Sequence, residues 1–201
     1  MNFYLASLLH CEMWRFFKTE KAIKFKKPYK LRGASRIHIG ENFHAGSNLW
    51  LEAVTCYGGQ DFDPIIKILD NVSLSTHVHI ACTNRIEIGN NVLMGSYVLI
   101  TDHNHGYYDS LHSTRHESPY IPPARRMLTE DGHITIGDNV WIGSMVSILP
   151  NTTIGNGSII GCNSVVKGDI PSYSIAVGNP AKVIKKYSFD KEIWVDIADL
   201  K

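Results

Sequence analysis

An aliphatic residue recurs at every sixth position through "IGDNVWIGSMVSILPNTTIGNGSIIGCNSVV", residues 136–166: Ile136, Ile142, Ile148, Ile154, Ile160 and Val166. A helical face repeats every three to four residues and a half-buried strand every two. A step of six is a multiple of two, so each hexapeptide fits a short strand with its corner. Three of these make a triangular coil of about 18 residues, and stacked coils make a solenoid in which each coil buries its aliphatic residues only against its neighbours. A second inward position falls four residues after the first and reads Val140, Val146, Thr152, Ser158 and Ser164. These are small or β-branched, as a narrow prism interior needs.

The start of a coil has its own form: two aliphatic residues straddling one other, then Gly or Leu, an acidic residue or Asn, and Asn. It occurs at Ile39, Ile68, Ile88 and Ile136, with a shorter echo at Ile154. The steps between them are 29, 20, 48 and 18 residues; subtracting one 18-residue coil leaves insertions of 11, 2, 30 and 0. The coil is therefore interrupted near "AVTCYGGQDFDP", slightly at Asn84–Arg85, and heavily between His103 and His133. A loop of the last length in a compact domain is usually functional or disordered. The expected fold is an all-β solenoid over residues 35–187, with loop 104–133 inserted, a basic amphipathic segment at 1–34 and a tail at 188–201.

The isoleucines are core and carry no chemistry, so function sits in what departs from the period. Composition narrows the class. A chain of 201 residues reads as one domain, and a net charge of +1 argues against a nucleic-acid partner. The charge is uneven: residues 1–35 hold eight Lys/Arg against Glu12 and Glu20. Within that stretch Leu5, Leu8, Leu9, Met13, Phe16 and Phe17 fall at helical spacing. This predicts a short helix that either packs on the prism or lies peripherally on an anionic membrane surface. Cys11, Cys56, Cys82 and Cys162 are far apart with no CxxC pair, which points to a reduced, cytoplasmic setting. The apolar start has no basic leader and meets Glu12 early, so it is a poor signal peptide.

Three elements in order carry a resemblance: "ITDHNHG" before the long insertion, "IGDNVWIGSMVSILP" after it, and the exit "VVKGDIPSYSIAVGNPAKVIKKY". Together they resemble the left-handed β-helix (hexapeptide-repeat) acetyltransferases. The similarity is greatest to the branch of galactoside and maltose O-acetyltransferases and surface-polysaccharide O-acetyltransferases. The resemblance implies a left-handed coil, a homotrimer with active sites between subunits, acetyl-CoA as donor and a sugar or oligosaccharide acceptor. It implies no metal. His105, five positions after Ile100, stands where the family has its general base, and a neutral imidazole with a pKa of about 6.5 suits removal of a hydroxyl proton. His103 is the competitor, and Asp102 either orients the imidazole or caps the turn.

On the coenzyme side the resemblance implies Trp141 as a wall beside the donor arm, with Gly143, Ser144 and Cys162 lining a lane of low bulk. The Ser144 position is one where the family's backbone amides stabilise the thioester oxyanion. Lys182 matches the base of the closing turn, with Lys185 and Lys186 behind it. Lys167 is displaced by one position from the usual Thr-Lys before "DIP". On the acceptor side, Ser75 and Thr83 replace the family's sugar-binding Asn and Asp, leaving Asn84 as substitute beside Asp102 and His103. This argues for an O-acetyltransferase of surface-polysaccharide synthesis rather than a simple galactoside enzyme. The alternatives are transfer to an antibiotic, free sugar or amino sugar, an inactive scaffold, or a zinc hydratase using "HVH" at 77–79 and "HNH" at 103–105 as ligand pairs.

Overall fold

The computed structural model describes residues 22–108 and 118–200. Among these residues the chain winds through three sheets, here called A, B and C, visiting them in that order once per coil. The inward isoleucines form a continuous ladder on sheet C, where Ile39, Ile68, Ile88, Ile136, Ile154 and Ile170 stand in register. Leu31, Leu51, Ile80, Ile100, Ile148 and Val166 do the same on sheet B. From Leu51 and Ile39 onward these stacks are buried. Val140, Val146, Thr152, Ser158 and Ser164 are buried too. The three hydroxyls among them are satisfied locally: Ser158 Oγ donates to the Pro171 carbonyl at 2.9 Å and Ser164 Oγ to Gly161 at 2.7 Å, with Thr152 Oγ1 3.4 Å from that of Val166. The result is a parallel β-helix with a dry centre.

The coil-start signature has a physical reading at the C-to-A edge. The acidic residue or Asn after Gly or Leu accepts a backbone N–H from the coil before it: Asp70 from Glu41, Asn90 from Asp70, Asp138 from Asn90 and Asn156 from Asp138, at 2.6–3.1 Å. The Asn that follows sits in the left-handed region, at Asn42, Asn71, Asn91 and Asn139. Asparagine tolerates that conformation better than other side chains. Two of these steps are also joined amide to amide, Asn42 to Asn71 and Asn91 to Asn139.

All three insertions leave the coil at one edge, between sheet B and sheet C. The first carries a hairpin, Cys56–Tyr57 with Gln60–Asp61. The second is Thr83–Asn84, between strands His79–Cys82 and Arg85–Ile88, and the third departs after Leu99–Thr101 and returns at His133–Ile136.

Two expected boundaries move. The prism does not start at residue 35, because Lys24–Phe25 pairs with His44–Ala45 on sheet A and Tyr29–Arg32 pairs with Leu49–Ala53 on sheet B. Ile23, Phe25, Tyr29 and Leu31 pack on the core and supply the first coil's apolar layer. Nor is 188–201 a detached tail. Lys182–Ser188 turns antiparallel to Ser174–Val177, and Ile193–Asp196 adds a further antiparallel strand. Tyr187 and Tyr173 meet Phe189 there, and Tyr187 also meets Trp194. The expected helix over Leu5–Phe17 lies outside the described residues. Among the described residues no helix is long and apolar enough to cross a membrane.

Candidate active site

The B-to-C edge gathers the residues around the long insertion. Asp102 is fully buried and is the centre of that corner. Its carboxylate accepts the backbone N–H of Thr83 at 2.8 Å and those of Asn84 and Arg85 at 2.9 Å, with the Cys82 thiol at 3.1 Å. Burial alone would raise its pKa. The hydrogen bonds from His103, the Thr83 and Asn84 amides and the Cys82 thiol outweigh that and hold the carboxyl below its usual range. Burial in turn, with the Asp102 charge beside it, pushes the Cys82 thiol far up. Asp102 is therefore not an acceptor contact, as the sequence reading had it: a carboxylate with no exposed surface cannot meet a sugar. It caps the turn.

It also holds an imidazole, but that of His103. Nδ1 of His103 donates to Asp102 Oδ1 at 2.9 Å, and the side chain is 11% exposed. Nε2 has no hydrogen-bond partner among the described residues. His79 lies close enough to feel His103. Burial is the main cause that keeps its pKa low, with His103 and Lys30 adding to it and Glu52 opposing.

His105 is exposed at the mouth of the insertion. Its backbone forms an antiparallel bridge with buried Leu128, flanked by the Gly106 amide on Met127 and the Thr129 amide on Asn104. The ring meets Tyr57 edge to face with centroids 5.3 Å apart, and the Tyr57 hydroxyl is 3.4 Å from Nδ1 while donating to the Ala124 carbonyl at 2.9 Å. Gln60 braces the same segment, donating to the Leu128 carbonyl at 3.1 Å and accepting its N–H at 2.7 Å. Tyr108 donates to the His105 carbonyl and receives Arg126 at 2.7 Å. Tyr57, Gln60, Tyr108 and Arg126 were not singled out in the sequence. The available signal was the phase of the insertions, since all leave after an inward residue of the same sheet and must be neighbours. Asn84 is tied to this edge as well, its Nδ2 donating to the Gly132 carbonyl at 2.9 Å.

The expected donor residues lie elsewhere. Trp141 is 52% exposed on sheet A, between Leu93 and Ile159 in register. Ser144 and exposed Cys162 stand one coil apart on the edge between sheets A and B. Gly143 is buried, and a Cβ there would lie 2.7 Å from the Cys162 amide nitrogen. Its lack of a side chain serves the approach of two coils rather than an open lane. Lys182 is exposed on sheet A, Lys167 is exposed on the B-to-C edge, and Lys185 is paired with Asp196 at 2.9 Å. In a triangular prism the B-to-C edge faces away from sheet A, so one protomer does not bring His105 and Trp141 together.

The histidine pairs do not form the ligand sets considered above. His77 lies in a left-handed turn and stacks on Tyr97, while His79 lies in a strand and stacks on Trp50. Among the described residues no group of three or more His, Cys, Asp or Glu is arranged to hold a metal ion.

The family description "Bacterial transferase hexapeptide (six repeats)" matches residues 133–168. WbbJ of Escherichia coli (strain K12), named as a lipopolysaccharide biosynthesis O-acetyl transferase, is 42% identical over 179 residues, 89% of this chain and 85% of that one. The chain belongs to the hexapeptide-repeat acyltransferases. Among solved structures, the hexapeptide-repeat containing acetyltransferase VCA0836 of Vibrio cholerae superposes with a TM-score of 0.56 at 20% identity, over 90% of this chain and 81% of that one. A mutant of AntD, an N-acyltransferase from Bacillus cereus in complex with dTDP-4-amino-4,6-dideoxyglucose and coenzyme A, gives the same score at 19% identity over 82% and 81%. At such identities these two establish the fold alone. This hexapeptide-repeat acyltransferase is an enzyme whose catalytic groups lie on separate sides of its prism.

Proposed function

We propose that this enzyme transfers an acetyl group from acetyl-CoA to a hydroxyl of a sugar during bacterial surface-polysaccharide synthesis. The reaction would take place in grooves between the subunits of a left-handed, trimeric prism. The observation that carries this reading is the separation of His105 from Trp141 and Ser144. A neighbouring copy supplies the missing side, since a B-to-C edge set against another copy's A-to-B edge brings the base and the donor lane to one groove. Exposed Leu93, Tyr97, Trp141 and Met145 give that second edge the apolar surface an interface needs. The similarity to WbbJ supports a cell-envelope saccharide as acceptor, and the donor supports a cytoplasmic setting. The basic first 34 residues supply a peripheral membrane contact if the acceptor is lipid-linked.

His105 takes the proton of the attacking hydroxyl at Nε2 while Tyr57 holds the other face of the ring, and returns it to the departing thiol. The Ser144 corner amides face the thioester oxygen. Trp141 walls the donor arm, and Lys182, with Lys186, meets its phosphates.

A second assignment of the base rests on one specific contact. Asp102 fixes His103 with its proton on Nδ1, leaving the Nε2 lone pair available, as in an Asp–His dyad. Single-turnover release of free thiol from acetyl-CoA separates the two. His105→Ala is expected to lower the rate by about 10²–10⁴-fold and His103→Ala by about tenfold or less. The reverse order would move the base to His103.

A further inference from the structure

The two uninterrupted edges of the prism are built differently. On the C-to-A edge the left-handed positions hold Asn42, Asn71, Asn91 and Asn139, then Gly157. On the A-to-B edge the equivalent positions hold Asn48, His77, Tyr97, Met145 and Asn163, all with φ between 59° and 61°. Bulky side chains rarely occupy that conformation and persist there when something else is gained. His77 and Tyr97 are exposed and stack with centroids 4.5 Å apart and planes 15° from parallel. The Asn48 amide donates to His77 Nε2 at 3.0 Å and fixes the lower ring. Beside the stack lie hydroxyls: Ser75 and Ser96 are 2.9 Å apart and Thr76 donates to Ser96 at 3.2 Å. The Ser96 amide then donates to Ser144 Oγ at 3.2 Å. A hydroxyl-lined path therefore runs from the stack to the corner assigned to the thioester.

We infer that the His77–Tyr97 stack and the Ser75, Thr76 and Ser96 hydroxyls are the acceptor subsite, and that its ligand is a pyranose ring. The inference rests on the acyltransferase reading given above. A donor laid along this edge from the Lys182 end brings its reactive group to Ser144, and the next coil toward the N-terminus is Ser96–Tyr97. An acceptor must lie there to be reached. A stacked aromatic face accepts the C–H face of a pyranose, and the adjoining hydroxyls match a polyhydroxylated ligand better than an apolar one. The specificity of this enzyme thus resides on the edge opposite the long insertion of the same subunit.

His77→Asn and Tyr97→Asn install the residue type that the other edge uses, so both variants are expected to fold with unchanged or higher melting temperature. The probes are methyl α-D-glucopyranoside, methyl α-D-galactopyranoside and methyl α-L-rhamnopyranoside, followed by saturation-transfer NMR. Coenzyme A binding by calorimetry and mass by light scattering are measured on the same samples. The expected result is transfer to at least one glycoside in the wild type, weakened about tenfold in both variants, with coenzyme affinity and mass unchanged. Transfer to none of the glycosides in the wild type would overturn the subsite, as would undiminished transfer in both variants. A variant that changes mass while keeping its glycoside signal would make the stack a subunit contact instead. If coenzyme A fails to bind while the glycoside results hold, the donor reading falls and the subsite stands.

Discussion

Asp102 shows how one side chain can organise a site without entering it. Its six-donor environment explains why a carboxylate with no solvent contact stays ionised, and it sets a pH signature. The folded pKa lies below the unfolded value of about 3.9. The stability it contributes is therefore full above about pH 4 and is lost as pH falls through the lower folded value. Asp102→Asn is expected to cost about 3 kcal/mol at neutral pH, because the amide turns a donor toward backbone N–H groups that need an acceptor. It should also flatten the acid limb of a denaturant-midpoint series against pH. A midpoint unchanged by the substitution would contradict that. The cysteines give a second check at this scale. Cys56 and Cys162 are exposed while Cys82 is buried beside a negative charge. An aromatic disulfide reagent should label Cys162 in the native protein, coenzyme A should slow it, and Cys82 should react only on unfolding.

At the scale of elements, the hairpin at Cys56–Asp61 is the unexpected participant. Sequence arithmetic gave the lengths of the three insertions and their shared phase, and the sheet registers carry the same spacing. It did not give the contact between Tyr57 and His105, because a side chain crossing between two insertions leaves no period. Likewise the "DHNH" spacing placed His105 outward but was silent on which imidazole Asp102 would hold. That choice depends on three amides from the preceding coil, about a turn of the prism away. Gln60→Ala removes both hydrogen bonds to Leu128. The expected outcome is a lower kcat, by roughly fivefold to tenfold, and faster tryptic cleavage at Arg125 and Arg126, with little change in melting temperature. Unaltered cleavage would show that the hairpin does not brace the loop.

For the whole molecule, the regular part was the readable part. A six-residue period specifies inward and outward positions, and the isoleucine ladders on sheets B and C follow it from end to end. The ends of the stack were misplaced because a first or last coil lacks a neighbour and so relaxes the pattern. The antiparallel strands Lys182–Ser188 and Ile193–Asp196 close the nine-stranded sheet A. Their outer strand covers the long edge of Lys182–Ser188, and an uncovered edge is a template for further pairing.

The single edge that receives every insertion has a consequence for how such an enzyme changes over time. Segments of 11, 2 and 30 residues leave and rejoin the coil there, and the ladders on either side keep their register. Length at that edge is uncoupled from the fold, so the loop that carries the base can be rebuilt by insertion or deletion while the stack is untouched. The asparagine edge tolerates no such drift, because each of its amides is already committed to the coil beside it. Innovation and conservation are thus assigned to different corners of one triangle.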